Sequence, residues 1–299
     1  MMDFSRNRAR SIVDRKNKVT IDDFVDLSEL EVLEIPERLA NNAQLRDLAD
    51  RIRVAAAEKK QVICMMGGHV VKVGASPYII DLMKRGIVTH IAMNGGASIH
   101  DFEIAIFGGT SEYVDEAIRD GSFGMTEETG SVMSHAIRRH PQSYGLAIGK
   151  EIDKLQGAYR RFSLLYMAYA LGVPATVHVA IGADVIHMHP HFDPAAAGQA
   201  THNDFRIFAE SVSKLEEGVV LNIGSAVMMP EVFLKALSVA RNQGYSVERF
   251  TAADLDMIDH YRPRVNVRQR PTSNGGVGIF VQGKHEETIP ALYKMILEK

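Results

Sequence analysis

Residues 67–105 read GGHVVKVGASPYIIDLMKRGIVTHIAMNGGASIHDFEIA. Two glycine turns, Gly67-Gly68-His69 and Asn94-Gly95-Gly96-Ala97-Ser98, each follow an apolar strand, at about 61–66 and 88–93, and a helix over 76–86 lies between them. The stretch is therefore a βαβ unit with two loops facing the same way. Glycine lets backbone approach a ligand without a Cβ in between, so both turns read as ligand contacts. The second turn opens a helix starting near Ile99, whose free amides and positive end suit an anionic or phosphate-bearing ligand. The spacing is not G-x-G-x-x-G, so that fingerprint is missing, and a plain strand-to-helix turn would also use glycines.

Outward from this unit, apolar strands recur at about 174–181, 218–223 and 277–282, with helical stretches at 111–119, 126–140, 158–171, 203–216 and 229–242. After Pro36, the residues Leu39, Leu45, Leu48, Ile52, Val54 and Ala55 fall at helical spacing and predict a surface helix feeding the first central strand. Such alternation predicts an α/β fold, a single Rossmann-like parallel sheet with helices on both faces. Ligands of such sheets bind at the carboxyl ends of the strands. There the sequence places the two turns above, Gly182-Ala183-Asp184, residues 222–226 (NIGSA) and Gln282-Gly283-Lys284. No linker or repeat divides the chain, so 35–299 reads as one domain. Residues 1–34 are a polar extension that packs on this core or on a neighbouring subunit.

Composition narrows the function. With 46% apolar residues the 299-residue chain has ample core, and a net charge of -3 without a dense basic run argues against a nucleic-acid partner. The single cysteine, Cys64, lies within the apolar strand QVICMM, so no intrachain disulfide is possible and a buried thiol is the simplest reading. No apolar run is long enough to span a bilayer and the first residues lack a signal-like apolar segment, which predicts a cytoplasmic protein with no membrane partner.

Four segments carry a resemblance to a known family: THIAMNGGASIHDFEIA at 89–105, DGSFGM at 120–125, GKEI at 149–152 and NIGSAV at 222–227. With them, roughly residues 35 to 299 resemble the deoxyhypusine synthase family, whose members use NAD to move an aminobutyl group from spermidine. The resemblance implies the family fold, a homotetramer built from dimers, and NAD lying across Gly68 and His69, Asn94, Gly95 and Gly96, Gly224 and Ser225, and Gln282 and Gly283. Departures from the family pattern bear on the reaction. The window that holds the family's imine-forming lysine reads RPRVNVRQRPTSNGGVG at 262–278, with arginines but no lysine. Arginine stays protonated and cannot serve as that nucleophile. Lys284 lies beyond the last strand.

Where the family carries paired glutamates for the amines of spermidine, this chain has Ile99 and His100 before Asp101, and its Thr-Asp-Gly-Ser region is replaced by a stretch with His178, His187, His189 and His191. Imidazoles do not stabilise an ammonium, so the expected reaction is an NAD-dependent transfer or dehydrogenation on a small substrate other than spermidine. His187 or His100 would shuttle the proton, with Asp101 as a third catalytic candidate. His187, His189 and His191 could instead hold a metal for hydrolysis, although the preferred reading has no metal; a non-catalytic nucleotide-binding protein is the remaining alternative. His178 reads as a core histidine, and Asp254, Asp256 and Asp259 as a solvated helix face.

Overall fold

The computed structural model describes residues 2–26, 28 and 34–298. Six parallel strands form the central sheet: β2 (Val62–Met66), β3 (His90–Asn94), β5 (Ala175–His178), β6 (Val219–Ile223), β7 (Thr251–Asp256) and β8 (Val277–Gln282). They lie in the order β5-β3-β2-β6-β7-β8. Counted among themselves this is 3-2-1-4-5-6, the doubly wound dinucleotide-binding order, in which the chain reverses direction across the sheet between β2 and β6. The α/β expectation is met. Two further strands, β1 (Asn17–Thr20) and β4 (Gly109–Glu112), pair antiparallel beside it. Of the extension at 1–34, residues 1, 27 and 29–33 lie outside the described residues.

The apolar runs of β2 and β6 are buried on both faces, as central strands of a covered sheet must be. Alternation divides them: Cys64, Met66, Leu221 and Ile223 pack towards Leu48, Ile52 and Phe102, while Ile63, Met65 and Val220 pack towards Phe208, Phe233 and Leu237. Cys64 is a buried free thiol whose pKa burial pushes up to about 12, in keeping with its reading as a core residue. Among the described residues no helix is long and apolar enough to cross a membrane.

Three expectations need correcting. The run TAADLD at 251–256 is the buried strand β7, not a helix surface; Asp254 and Asp256 lie inside, and Asp259 in the following loop pairs with Arg268. The strand pairs in parallel with β6 on one side and β8 on the other, so its backbone is covered on both edges. The helix expected over 158–171 begins only at Leu164, because the Ser163 hydroxyl caps it at the amide of Tyr166. The helix expected to open near Ile99 runs Gly95–Phe107, with Asn94 accepting from the Ala97 amide at 2.8 Å.

At the crossover the Gly67 amide donates to the Ile223 carbonyl at 3.0 Å, and a Cβ on Gly67 would lie 2.2 Å from the carbonyl oxygen of Gly224. Two backbones touch where any side chain would part them. Gly67→Ala should therefore destabilise the fold by about 1–3 kcal/mol, the range for overpacking, as read by urea denaturation. Stability equal to the parent would show that this approach relaxes without cost.

Candidate functional site

The turns at the carboxyl edge are sewn together by backbone. Gly67 donates to Ile223, Gly224 to Leu255 at 3.1 Å, and Gly283 to Asp256 at 3.1 Å, each turn resting on the end of the neighbouring strand. Gly224 is left-handed (φ +62°), and a Cβ there would meet the His285 ring at 2.5 Å. His285 Nε2 donates to the Leu255 carbonyl at 3.1 Å, and its ring stands edge-on to His69, 5.4 Å away. Burial and the nearby His285 hold the His69 pKa below its ordinary value. Ser225 is buried with its hydroxyl accepting from the Met229 amide, and Gln282 is exposed and donates to the Met257 carbonyl. The structure thus brings together Gly68, His69, Gly224 and, through Gly67, Ser225; Gln282 and Gly283 lie two strands further along the edge.

The second turn faces a cavity of about 220 Å³. Its charged lining consists of Arg15, Lys72, Glu103, Glu112 and Asp184, with His100 among them, and Ile99, Val114, Phe123 and Val185 make the apolar wall. A Cβ on Gly68 would lie 2.9 Å from Cδ2 of His100, so the first glycine turn and this cavity share a wall.

His100 is held by a chain of groups. Its Nδ1 lies 2.8 Å from the Thr110 hydroxyl, which itself donates to Glu103 Oε2 at 2.5 Å. A hydroxyl whose proton is committed to a carboxylate must accept from the ring, so Nδ1 carries the proton and Nε2 keeps its lone pair. Arg15 closes the chain with two 2.8 Å bonds to the Glu103 carboxylate, which also accepts from Thr129. Burial pushes the His100 pKa down to about 4, so at neutral pH the ring is a base with a free nitrogen.

The other two catalytic candidates are placed differently. Asp101 is fully buried and accepts from the Ser163 hydroxyl and from the amides of Leu164 and Leu165, which ties it to the start of the helix Leu164–Leu171. It does not reach the cavity. His187 accepts at Nδ1 from the amides of Gly182 and Asp184, at 3.1 and 3.2 Å, so its proton sits on Nε2, 3.7 Å from Asp184 Oδ2. It organises its own loop.

The Nε2 atoms of His189 and His191 lie 3.4 and 3.7 Å from the two oxygens of Glu127. Among the described residues no group of three or more histidine, cysteine or acidic side chains is arranged to hold a metal ion, so the cluster of His187, His189 and His191 is not assembled. His178 is buried, bonded to Thr176 and neutral, its pKa pushed down to about 3.

Sequence reasoning missed Asp184 as a chemical group. Its carboxylate lies against the second glycine turn, where a Cβ on Gly95 would be 2.0 Å from Oδ2. The helix end expected to attract a ligand's anion therefore already receives an anion from this chain. Lys72, Arg15, Glu103 and Thr110 were missed as well. They come from three separate segments, and only the fold shows that they converge; the one available signal was Asp184 in a turn already placed at the sheet edge.

Neither a family profile nor a curated protein sequence matches the chain. Solved structures do. A LOR/SDH protein from Methanococcus maripaludis S2 superposes with a TM-score of 0.57 at 13% identity, over 86% of this chain and 68% of its own. A deoxyhypusine synthase structure from Entamoeba histolytica gives 0.52 at 12%, over 92% and 94%. The ternary complex of AgrE with ornithine and NAD+ gives 0.52 at 13%, over 91% of this chain but only 34% of AgrE. The chain has a deoxyhypusine-synthase-like fold. It spans about a third of the length of AgrE and of the cyanobacterial arginine dihydrolase ArgZ, so those proteins share with it one part only.

Burial pushes the Asp184 carboxyl up to about 6 from 3.8, against a smaller lowering by the Gly96 amide. A raised carboxyl pKa gives stability that is present below the unfolded value and lost as pH rises through the folded one. Asp184→Asn, uncharged throughout, should accordingly melt above the parent at about pH 8, with the gap closing as pH falls through about 6 towards 4. A gap that is constant with pH would mean that Asp184 ionises without penalty.

Proposed function

We propose that the chain is an NAD-dependent enzyme acting on a small molecule other than spermidine, with His100 as its proton shuttle. The observation that carries this is the Gly68–His100 contact: it sets a ring of fixed tautomer against the first glycine turn, where the strand order reverses and dinucleotides bind in this type of sheet. The residues that would hold NAD are Gly68, His69, Asn94, Gly95, Gly96, Gly224 and Ser225, with Gln282 and Gly283 at the outer end. Gly67, Gly95 and Gly224 each lie where a Cβ would clash within the chain, which is equally a structural demand. Gly96 differs: the atoms nearest a Cβ there are 3.7 Å away or further, so the fold itself does not require glycine and a ligand passing the turn gives the reason for it. NAD supplies hydride acceptance; the protein orients the substrate and takes its proton at His100 Nε2.

Three further observations support the reading. The AgrE structure similar to this chain was solved with ornithine and NAD+. In the lysine-free window, Arg268 is engaged with Asp259 and lies 4.8 Å over the Phe280 ring, which leaves no nucleophilic amine there. Met257, Ile258 and Tyr261, exposed beside Gln282, offer an apolar face for the homo-oligomer that the resemblance implies. Asp101 enters this reading only indirectly, by fixing the start of the helix Leu164–Leu171, and His187 by shaping the loop that carries Asp184.

Saturating NAD should raise the thermal midpoint by mass action, and Gly96→Ala, whose Cβ the ligand-free fold accommodates, should reduce the rise while keeping the unliganded midpoint near that of the parent. No rise and no calorimetric heat with the parent would remove the cofactor from the reading. Incubation with NAD and spermidine followed by borohydride should leave the intact mass unchanged. A butyl-amine adduct on Lys72, Lys284 or another lysine would restore the parent reaction of the family.

A further inference from the structure

The charges of the His100 cavity do not balance among themselves. Glu103 is held by Arg15, and Glu112 lies 3.0 Å from Arg10 while accepting from the Gly124 amide. Two charged groups remain. Lys72 makes no ion pair or side-chain hydrogen bond to any described residue, and the Asp184 carboxylate, although it accepts from the Gly96 amide, meets no lysine or arginine among the described residues. Lys72 comes from the short helix His69–Lys72 behind the first turn and Asp184 from the loop covering the second, so the two line the cavity from different elements. Between them lies His100, whose free Nε2 is the only base of the relay not already bonded.

We infer that the substrate bound here is a compact zwitterion, an amino acid with a short aliphatic chain, whose carboxylate pairs with Lys72 and whose amine pairs with Asp184. A volume of about 220 Å³ is below the usual range of roughly 300–1,000 Å³ for sites of drug-sized ligands and suits a molecule of a few carbons. Ile99, Val114, Phe123 and Val185 supply contact for an aliphatic chain but no hydrogen bonds from their side chains. A monoamine satisfies Asp184 alone and a monocarboxylate Lys72 alone. A polyamine puts like charge against Lys72, in line with the departure from spermidine. The inference takes the cavity as the substrate part of the proposed NAD site, but its charge logic can be tested separately.

Calorimetric titration with 4-aminobutyrate, L-2-aminobutyrate, butyrate and butylamine, with and without NAD, tests it. At least one of the two zwitterions should bind about tenfold or more tightly than either singly charged compound, as expected for one added charge-assisted contact. Lys72→Met should remove the preference over butylamine and Asp184→Asn the preference over butyrate, each variant keeping the other preference. Butyrate or butylamine binding as tightly as both zwitterions, no heat from either zwitterion, or a preference untouched by both substitutions would overturn the inference. If a zwitterion is preferred while NAD gives no heat, the nucleotide reading fails alone; if NAD binds without such a preference, the zwitterion alone is lost.

Discussion

A single buried carboxylate orders the part of the molecule where chemistry is proposed. Glu103 is 2% exposed and accepts from both terminal nitrogens of Arg15, from Thr110 and from Thr129, so four donors compensate its charge away from water. Removing one partner of such a pair typically costs about 3–5 kcal/mol, because the remaining charge stays buried and unpaired. The geometry around it is correspondingly fixed. Arg15 draws the N-terminal segment onto the helix Gly95–Phe107, Thr110 brings β4 to the same point, and Thr129 brings the helix Glu127–Arg139. The tautomer of His100 follows from the same carboxylate, two hydrogen bonds away.

The crossover between β2 and β6 provides the complementary constraint. With the strands in register to Met66, Ile223 and Met93, their ends are level, and the turns that follow must share one edge. Side chains would push them apart, which explains glycine at Gly67 and Gly224 independently of any ligand. His100 then reaches this edge from one side, and His69 with His285 from the other. Burial, with His285, holds the His69 pKa below its ordinary value and pushes that of His100 down to about 4, so at neutral pH the His100 ring is uncharged and Nε2 keeps its lone pair.

The sheet, its turns and the core thiol were legible in the sequence because they rest on local rules: period-two burial, apolar runs and glycine at backbone contacts. Strand β7 was not, because Asp254 and Asp256 look solvated until Asn222 and Arg268 are seen to meet Asp254 inside. Asp101 and His187 were read as chemistry since acids and histidines beside glycine turns suggest it. In the fold Asp101 accepts from the Ser163 hydroxyl and two amides at the start of the helix Leu164–Leu171, and His187 from two amides of its own loop. Asp184 and Lys72, ordinary residues in a turn and a one-turn helix, stand out only through the cavity they line together, and that is a property of three-dimensional surroundings.

Charge also bears on how the proposed change of substrate fits a retained deoxyhypusine-synthase-like fold. The window that lacks lysine is occupied by Arg268, bonded to Asp259, stacked on Phe280 and directed at Asp254, so that corner is electrostatically closed. Lining the cavity instead are Lys72, behind the first turn and without an ion pair among the described residues, and Asp184, against the second, which accepts from the Gly96 amide but meets no lysine or arginine there. A site that presents one cation and one acid across a small apolar gap discriminates against a chain of several ammonium groups by repulsion at Lys72 and against a dianion by repulsion at Asp184.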